Sequence, residues 1–414
     1  MVNSTRIARA HVTMAAIYLV VALLSLLDYV LALFGLIQPL GNLYWFRLHL
    51  ITIGVLAQAV MGVLPLLLAR RLNVRTPSPT VLWILFALLN AGLLLLAFGQ
   101  VLGSAWQRSS GAWILLVTLS IWLGLLVQMW LKAPRPRAME AAFYLAGPAY
   151  LLLGVLMALT MLEGWPSPQG YQAVKESHVH NNIFGFTGLV FAGVALDVLP
   201  ALFGRSLARP GWVKPTFWLM VIGAFGLWLG PYFRVTPIMG GGLVIYVAGT
   251  VLMLANVFLT LRRPTPVLAV NATHFLASYL WIAAPAIATL TFVILGTERL
   301  QLTRLELGVT QGLVYGLILQ IVLAFLPAMS SRILPGQWNP PIQPGEGSRF
   351  SLILLNLSVA AVWLASVLLP WDQARPVVAI AYVLVIVAAL PYLWRLLRVL
   401  RAMRTPRAVA AVQA

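Results

Sequence analysis

The stretch LPALFGR at residues 199–205 ends a long apolar run and leads into a basic loop. Almost the same phrase occurs as LPLLLAR at residues 64–70 and as LPAMSSR at residues 326–332. Each copy has a Leu-Pro pair, four variable residues and an arginine. A phrase that recurs at wide, similar spacing indicates an internal repeat. The sequence therefore predicts three equivalent helices that end in the same way.

The composition predicts a membrane protein in contact with the lipid bilayer. Of the 414 residues, 61% are hydrophobic and only 9% are charged, which is too little polar surface for a soluble globule of this size. The net charge of +18 comes from Lys and Arg in short loops between apolar runs, so no nucleic-acid partner is expected. No cysteine occurs, which excludes disulfides and thiolate metal sites. Any metal would need His, Met or oxygen ligands.

Apolar runs separated by Pro, Gly and charged residues predict an all-α bundle of about twelve transmembrane helices. The three phrases end the second, sixth and tenth runs, so the bundle is a pseudo-threefold repeat of four-helix units. We expect one integral membrane domain over residues 1–414, with repeat units at about 12–132, 140–262 and 268–396 and a basic tail at 397–414. The first run lacks a small-residue cleavage site and is expected to be retained. The predicted spans are 12–38, 46–68, 80–103, 112–132, 140–163, 178–203, 215–236, 241–262, 268–297, 307–330, 350–371 and 376–396.

The basic residues also predict the orientation of the spans. With a cytoplasmic N-terminus, 20 of the 27 Lys and Arg residues lie on the inside and 7 on the outside. The positive-inside rule therefore places both termini in the cytoplasm, in what we expect to be a prokaryotic cytoplasmic membrane.

The repeat carries histidines. His49 and His180 are each followed by glycine after five and after thirteen residues, at Gly54, Gly62, Gly185 and Gly193. Counting back from the third Leu-Pro pair matches Gly312 with Gly185 and puts Leu307 at the histidine position, so the third unit is expected to lack its histidine. The glycines fit either close helix packing or clearance for a flat cofactor.

Three of the five histidines, His49, His178 and His180, are predicted to lie at one level near the outer face. This arrangement favours a metal or haem site over three packing histidines. Residues two apart on a helix project roughly 200° apart, so His178 and His180 should face different neighbours. His180 could then share one haem iron with His49, while His178 addresses a second centre, which gives one or two haems.

Other polar residues have weaker patterns. Haem propionates would need cations near the outer face, and Arg47 and Arg234 are the candidates, although each could be a loop charge. His274 is either a metal ligand of a second centre or a packing residue. His11 is interpreted as structural. Asp28 lies inside a span, where a carboxylate indicates a buried hydrogen bond or a role in proton handling.

The segment HVHNNIFGFTGLVFAGVALDVLPALFGR resembles the His-x-His helix of haem-copper oxidase subunit I, and RLHLITIGVLAQAVMGVLP resembles the second-helix haem-ligand segment of that family. The chain is also similar to the NnrS group of haem- and copper-containing membrane proteins linked to nitric-oxide metabolism. The resemblance implies that His49 is a low-spin haem ligand and that His178 and His180 serve a high-spin and a low-spin haem. Here, however, the His-x-His lies on the sixth span instead of the tenth. No His-His pair exists for the family's copper site, so neither a complete copper centre nor proton pumping is expected.

Two functions remain open on the sequence. One is a haem protein that acts in electron transfer or diatomic gas handling, with an electron-donor protein as partner and oxidoreductase activity of the oxidase or nitric-oxide type. The other is a cofactor-free transporter or scaffold in which the histidines and Asp28 line a polar pathway. The repeats are parallel instead of inverted, which favours the haem protein.

Overall fold

The computed structural model of the protein describes residues 2–40, 43–134, 138–262, 272–283, 308–325 and 348–402. All regular elements within these ranges are helical. Eleven of the helices are long and apolar enough to cross a membrane, and the described part of a twelfth, at 272–283, lies inside the predicted span 268–297. The protein is thus an integral membrane protein, and the predicted bundle of about twelve helices is confirmed.

The helices follow the chain in three groups of four. The first group is α1 (Val2–Leu33), α2 (Leu43–Leu72), α3 (Pro79–Val101) and α4 (Ala105–Lys132). The second is α5 (Glu140–Leu162), α6 (Gly170–Ala201), α7 (Val213–Phe233) and α8 (Thr236–Leu261). The third is α9 (272–283), α10 (Gly308–Phe325), α11 (Arg349–Leu368) and α12 (Trp371–Ala402).

The second helix of every group contains a π-helical segment of eight residues. The segments are Leu50–Ala57, Asn181–Gly188 and Gly312–Leu319, so each begins 131 residues after the previous one. Each segment has a glycine at its fifth position. A π-helical turn is wider than an α-helical turn and is uncommon, often at functional sites. Three segments at a constant spacing therefore confirm the repeat and fix its register.

This register corrects the sequence alignment of the third repeat. The residue before the π segment is His49 in the first repeat, His180 in the second and Gln311 in the third. The prediction that Leu307 takes the histidine position is wrong, and Leu307 itself lies outside the described residues. The comparison counted back from the Leu-Pro pair, but the distance from the π-segment glycine to that proline is eleven residues in the first and third repeats and fifteen in the second.

The extra turn of the second repeat coincides with an interruption at Asp197. One α-helical stretch ends at Leu196 and the next begins at Val198. The Asp197 carboxylate lies 3.4 Å from Nε of Arg71, which also pairs with Glu140 at 3.2 Å. The hydroxyl of Tyr144 donates to Asp197 at 3.3 Å. A charged residue at a helix break thus finds partners near the end of its span.

Two compact units emerge from the packing of the described chain. Unit 1 comprises Met1–Ala8 and Val60–Pro266, and unit 2 comprises Arg9–Ala59 and Val267–Ala414. Within the units, the last two helices of each repeat form a tightly packed hairpin: α3 with α4, α7 with α8, and α11 with α12. Gly226 and Gly242 allow the close approach of α7 and α8, since a Cβ on Gly226 would lie 2.8 Å from Cα of Gly242.

The π-segment glycines accept aromatic rings from the preceding helix. Tyr18 packs on Gly54, Tyr150 on Gly185 and Trp281 on Gly316, and a Cβ on Gly54 would lie 2.8 Å from the Tyr18 ring. Tyr150 and Trp281 then bond to the third helix of their own repeat, through the Val221 carbonyl at 2.9 Å and the Asn356 side chain at 2.9 Å. The glycines at these positions therefore serve helix packing.

Replacing the second of these glycines should destabilise the protein. The added methyl group in Gly185→Ala would meet the Tyr150 ring, and we expect overpacking to cost about 1–3 kcal/mol of unfolding free energy. Gly124→Ala is the matched control, because a Cβ there has open space and the helix gains up to about 1 kcal/mol. Thermal unfolding in detergent checks both, and equal stability of the two variants would contradict this packing role.

Candidate functional site

His180 is the last residue before the second π segment. Its Nδ1 lies 2.7 Å from the carbonyl oxygen of Leu227 on α7. A carbonyl oxygen only accepts, so Nδ1 must carry the proton. The neutral imidazole then has its lone pair on Nε2, which is the form that binds a metal through Nε2. The Phe184 ring packs edge-on at 5.4 Å, with an interplanar angle of 77°.

His178 makes the equivalent bond to a different helix. Its Nδ1 lies 2.8 Å from the carbonyl oxygen of Gly154 on α5. This bond again places the proton on Nδ1 and the lone pair on Nε2. The prediction that His178 and His180 face different neighbours is confirmed, since one is held by α5 and the other by α7.

Asn182 lies over the ring of His178. Its Nδ2 is 3.3 Å from both ring nitrogens. An atom at that distance from both nitrogens cannot lie in the ring plane without colliding with Cε1 between them, so the amide lies over the imidazole face. Gly154 makes room for this arrangement, because a Cβ there would lie 2.9 Å from Cγ of Asn182. Gly154 thus supplies both the carbonyl and the space that position His178.

His49 has the same proton arrangement in unit 2. Its Nδ1 lies 2.9 Å from the carbonyl oxygen of Trp45, one turn earlier in α2. The Trp45 indole stacks on the imidazole at 3.7 Å, with an interplanar angle of 22°. The carbonyl and the stacked indole fix the orientation of the ring, and the lone pair of the neutral form lies on Nε2. The sequence pattern gave no indication that Trp45 orients His49.

Gln311 takes the histidine position in the third repeat. Its Nε2 donates to the hydroxyl of Tyr44 at 3.1 Å, and its Oε1 accepts from the hydroxyl of Tyr382 at 2.8 Å. Both ends of the amide therefore have partners within unit 2. The position remains polar but offers no imidazole for a metal.

Arg47 and Arg234, the two candidate partners of haem propionates, differ in burial. Arg47 is only 1% exposed, donates from Nε to the Tyr315 hydroxyl at 2.9 Å and from Nη1 to the Ser25 carbonyl at 3.1 Å. Both ion pairs within the described ranges involve Arg71, so Arg47 has no carboxylate partner there. The interpretation of Arg47 as a loop charge is wrong. Arg234 is exposed and takes a left-handed conformation with φ 55° at the end of α7.

The other polar residues considered in the sequence are His274, Asp28 and His11. His274 is fully buried on α9, where the Tyr392 ring packs against it at 5.3 Å and 88°. Asp28 is half-buried and lies 3.4 Å from the backbone nitrogen of Leu40. His11 is buried on α1. Over the described ranges, no group of three or more His, Cys, Asp or Glu side chains is arranged to hold a metal ion.

Comparison with known proteins identifies a shared fold. No protein-family model matches the chain, and no curated protein matches it in sequence. A solved structure described as a haem-copper terminal oxidase dimer is similar, with a TM-score of 0.71 over 96% of this chain and 84% of that chain. The two sequences are 14% identical, so the similarity shows the fold alone. The predicted oxidase-like arrangement of the helices is confirmed at that level.

The backbone bonds predict one tautomer for His178 and His180. In protein purified without haem, nitrogen-15 NMR of labelled histidine should show a protonated Nδ1 and an unprotonated Nε2 for both rings at neutral pH, because each Nδ1 donates to a carbonyl. His178→Gln and His180→Gln assign the two signals. A protonated Nε2 at either position would contradict the anchoring described for that ring.

Proposed function

We propose that the protein binds haem through histidines of its π-helical spans and acts in electron transfer or in the handling of a diatomic gas. The observation that carries the proposal is the anchoring of His178 and His180 through Nδ1 to carbonyls of two different helices. A backbone partner on one ring nitrogen is the usual device that orients a metal-bound histidine. Similarity to the fold of a haem-copper oxidase supports the same reading.

The residues fit a haem group chemically. His49, His178 and His180 would supply Nε2 ligands, and aliphatic and aromatic side chains around them would cover the macrocycle. Arg47 would suit a propionate, because it is a buried cation without a carboxylate partner among the described residues. Arg234 could serve a propionate only at the surface. Bound haem would supply one-electron chemistry or a binding position for a gas molecule.

The predicted histidine ligands also bear on the number of haems and on copper. One or two haems match the three predicted ligands. Sequence reasoning predicts no complete oxidase-type copper centre, and His274 remains a candidate ligand for a second metal. A nitric-oxide-related role of the kind implied by the NnrS resemblance, an electron-donor partner and oxidoreductase activity belong to this proposal.

An absorption spectrum tests the proposal directly. Protein expressed with adequate haem should show a Soret band, and His180→Ala and His49→Ala should each abolish the low-spin signal because each removes a predicted axial ligand. Loss in both variants would support the assignment of His49 and His180 as low-spin ligands. His178→Ala should change a different spectral component, since that ring is held by another helix.

His11→Gln is the matched control, since His11 is a buried histidine outside the predicted ligand set. It should retain the spectrum of the parent protein. Absence of a Soret band after haem supplementation would refute the proposal and leave the transporter or scaffold function. Retention of the low-spin signal in both His49→Ala and His180→Ala would refute the ligand assignment.

The orientation with both termini in the cytoplasm is part of the proposal. The chain has no cysteine, so single Ser→Cys variants report sidedness without background. Ser167→Cys, in the loop between α5 and α6, should react with a membrane-impermeant maleimide added to intact cells. Ser206→Cys, in the loop between α6 and α7, should react only after the membrane is opened, because its loop belongs to the basic side. The reverse pattern would invert the topology.

A further inference from the structure

Asn181 is a buried carboxamide with no hydrogen-bond partner among the residues that the structure describes. It is 1% exposed, and neither Nδ2 nor Oδ1 forms a hydrogen bond within the described protein. Its neighbourhood in unit 1 is built from α5, α6 and α7, which pack closely around it. Transfer of an amide from water into an apolar interior costs free energy unless new hydrogen bonds replace those to water. A buried amide without a partner among the described residues is a candidate site for a bound molecule that supplies the missing hydrogen bonds.

The repeat shows that the packing itself does not require an amide. The 131-residue spacing places Leu50 and Gly312 at the position equivalent to Asn181. Leu50 is also buried, at 2% exposure, and begins the same kind of π segment. Leucine has the same branching and the same number of side-chain heavy atoms as asparagine, although it is larger, so this position of the repeat accommodates an apolar side chain. Packing at this position therefore does not explain why the second repeat carries an amide.

The position of Asn181 connects it with the candidate site. It directly follows His180 and lies one turn after Ser177, whose hydroxyl donates to the Trp228 carbonyl on α7 at 3.1 Å. Residues four apart share a helix face, so Asn181 lies on the side of α6 that packs against α7. Within the described part of the chain, the buried indole Nε1 of Trp228 also has no hydrogen-bond partner. Two unpartnered polar side chains thus lie along α6 and α7, next to the residues that anchor His180.

We propose that Asn181 binds ordered water in a buried polar site of unit 1 beside His180. A carboxamide offers two donors and one acceptor and carries no charge, so it suits a neutral molecule that both donates and accepts hydrogen bonds. Water is the smallest such molecule, and buried waters commonly satisfy polar groups of this kind. The water site stands on the burial of Asn181 and on the repeat comparison.

The use of this water rests on the proposed function. Reduction of a diatomic gas consumes protons, and a helix bundle lined by aliphatic and aromatic side chains supplies few. Water held next to a haem ligand would donate a hydrogen bond at the centre and would relay protons that it regains from bulk solvent. Asn181 would then be a positioning residue that acts through water and does not touch the iron.

X-ray hydroxyl-radical footprinting tests the site, because the method oxidises side chains that lie next to ordered water. Purified full-length protein should be oxidised within residues 178–186, although Asn181 and residues 183–186 are buried. Asn181→Leu, which copies the first repeat, should lose this oxidation without gaining thermal stability. Asn181→Ser keeps a group that binds water and should retain the oxidation.

Asn90→Leu is the matched control for the exchange of residue type. The Asn90 amide already donates to the Phe86 carbonyl at 2.7 Å in α3, so its replacement should leave oxidation of residues 178–186 unchanged. The inference is overturned if the parent protein is not oxidised there, or if Asn181→Leu is oxidised like the parent. It is equally overturned if Asn181→Leu unfolds at a higher temperature, which is the result for an amide that is simply unsatisfied.

The footprint and the absorption spectrum separate the two ideas. Oxidation at residues 178–186 in a protein without a Soret band would keep the water site and refute the proposed function. A Soret band without that oxidation would support haem binding and refute the water site. If both are found, a shift of the haem reduction potential in Asn181→Leu, with the Soret band retained, would show that the water acts on the centre.

Discussion

Polar side chains inside a membrane span must find hydrogen-bond partners in the protein or in bound water, since lipid tails offer none. Among the bonds that meet this constraint are those to backbone carbonyls of neighbouring helices, which accept from His178, His180, Tyr150 and Tyr246. For a tyrosine the bond satisfies a hydroxyl and ties two helices together. For a histidine it also fixes the ring orientation and the tautomer. The requirement that stabilises the bundle therefore also orients the imidazoles in a form that can bind a metal.

The π segments separate what is constant in the repeats from what varies. Each segment has a glycine at its fifth position that accepts an aromatic ring from the preceding helix, and this packing recurs in all three repeats. The residues just before and just after the segment boundary differ: His-Leu in the first repeat, His-Asn in the second and Gln-Gly in the third. Packing thus maintains a common scaffold, while the polar groups at two adjacent positions differ between the repeats. A fold shared with an oxidase at 14% identity is consistent with a scaffold that depends on packing more than on particular site residues.

Apolar run length predicted the spans, the recurring Leu-Pro phrase predicted the repeat, and helical periodicity predicted the opposite directions of His178 and His180. The register of the third repeat could not be obtained in the same way. The extra turn in the second repeat lies at Asp197, where a helix break is stabilised by ion pairing with Arg71, and nothing in the Leu-Pro phrase indicates it. The π segments are equally hidden, because their composition is that of any apolar helix. Arg47 resembled a loop charge because its partners, Ser25 and Tyr315, are distant in sequence and only the folded chain brings them to it.

The contrast between Gln311 and the two repeat-equivalent histidines identifies what distinguishes the repeats. All three positions carry a polar side chain that is held by a neighbouring group, so polarity by itself separates none of them. The amide of Gln311 uses its donor and its acceptor in bonds to Tyr44 and Tyr382, and the network is complete within the chain. An imidazole anchored through Nδ1 retains a lone pair on Nε2, directed away from the anchoring carbonyl. The difference is therefore one of coordination capacity: the first two repeats each present a nitrogen suited to a metal, and the third satisfies its polar group with protein alone.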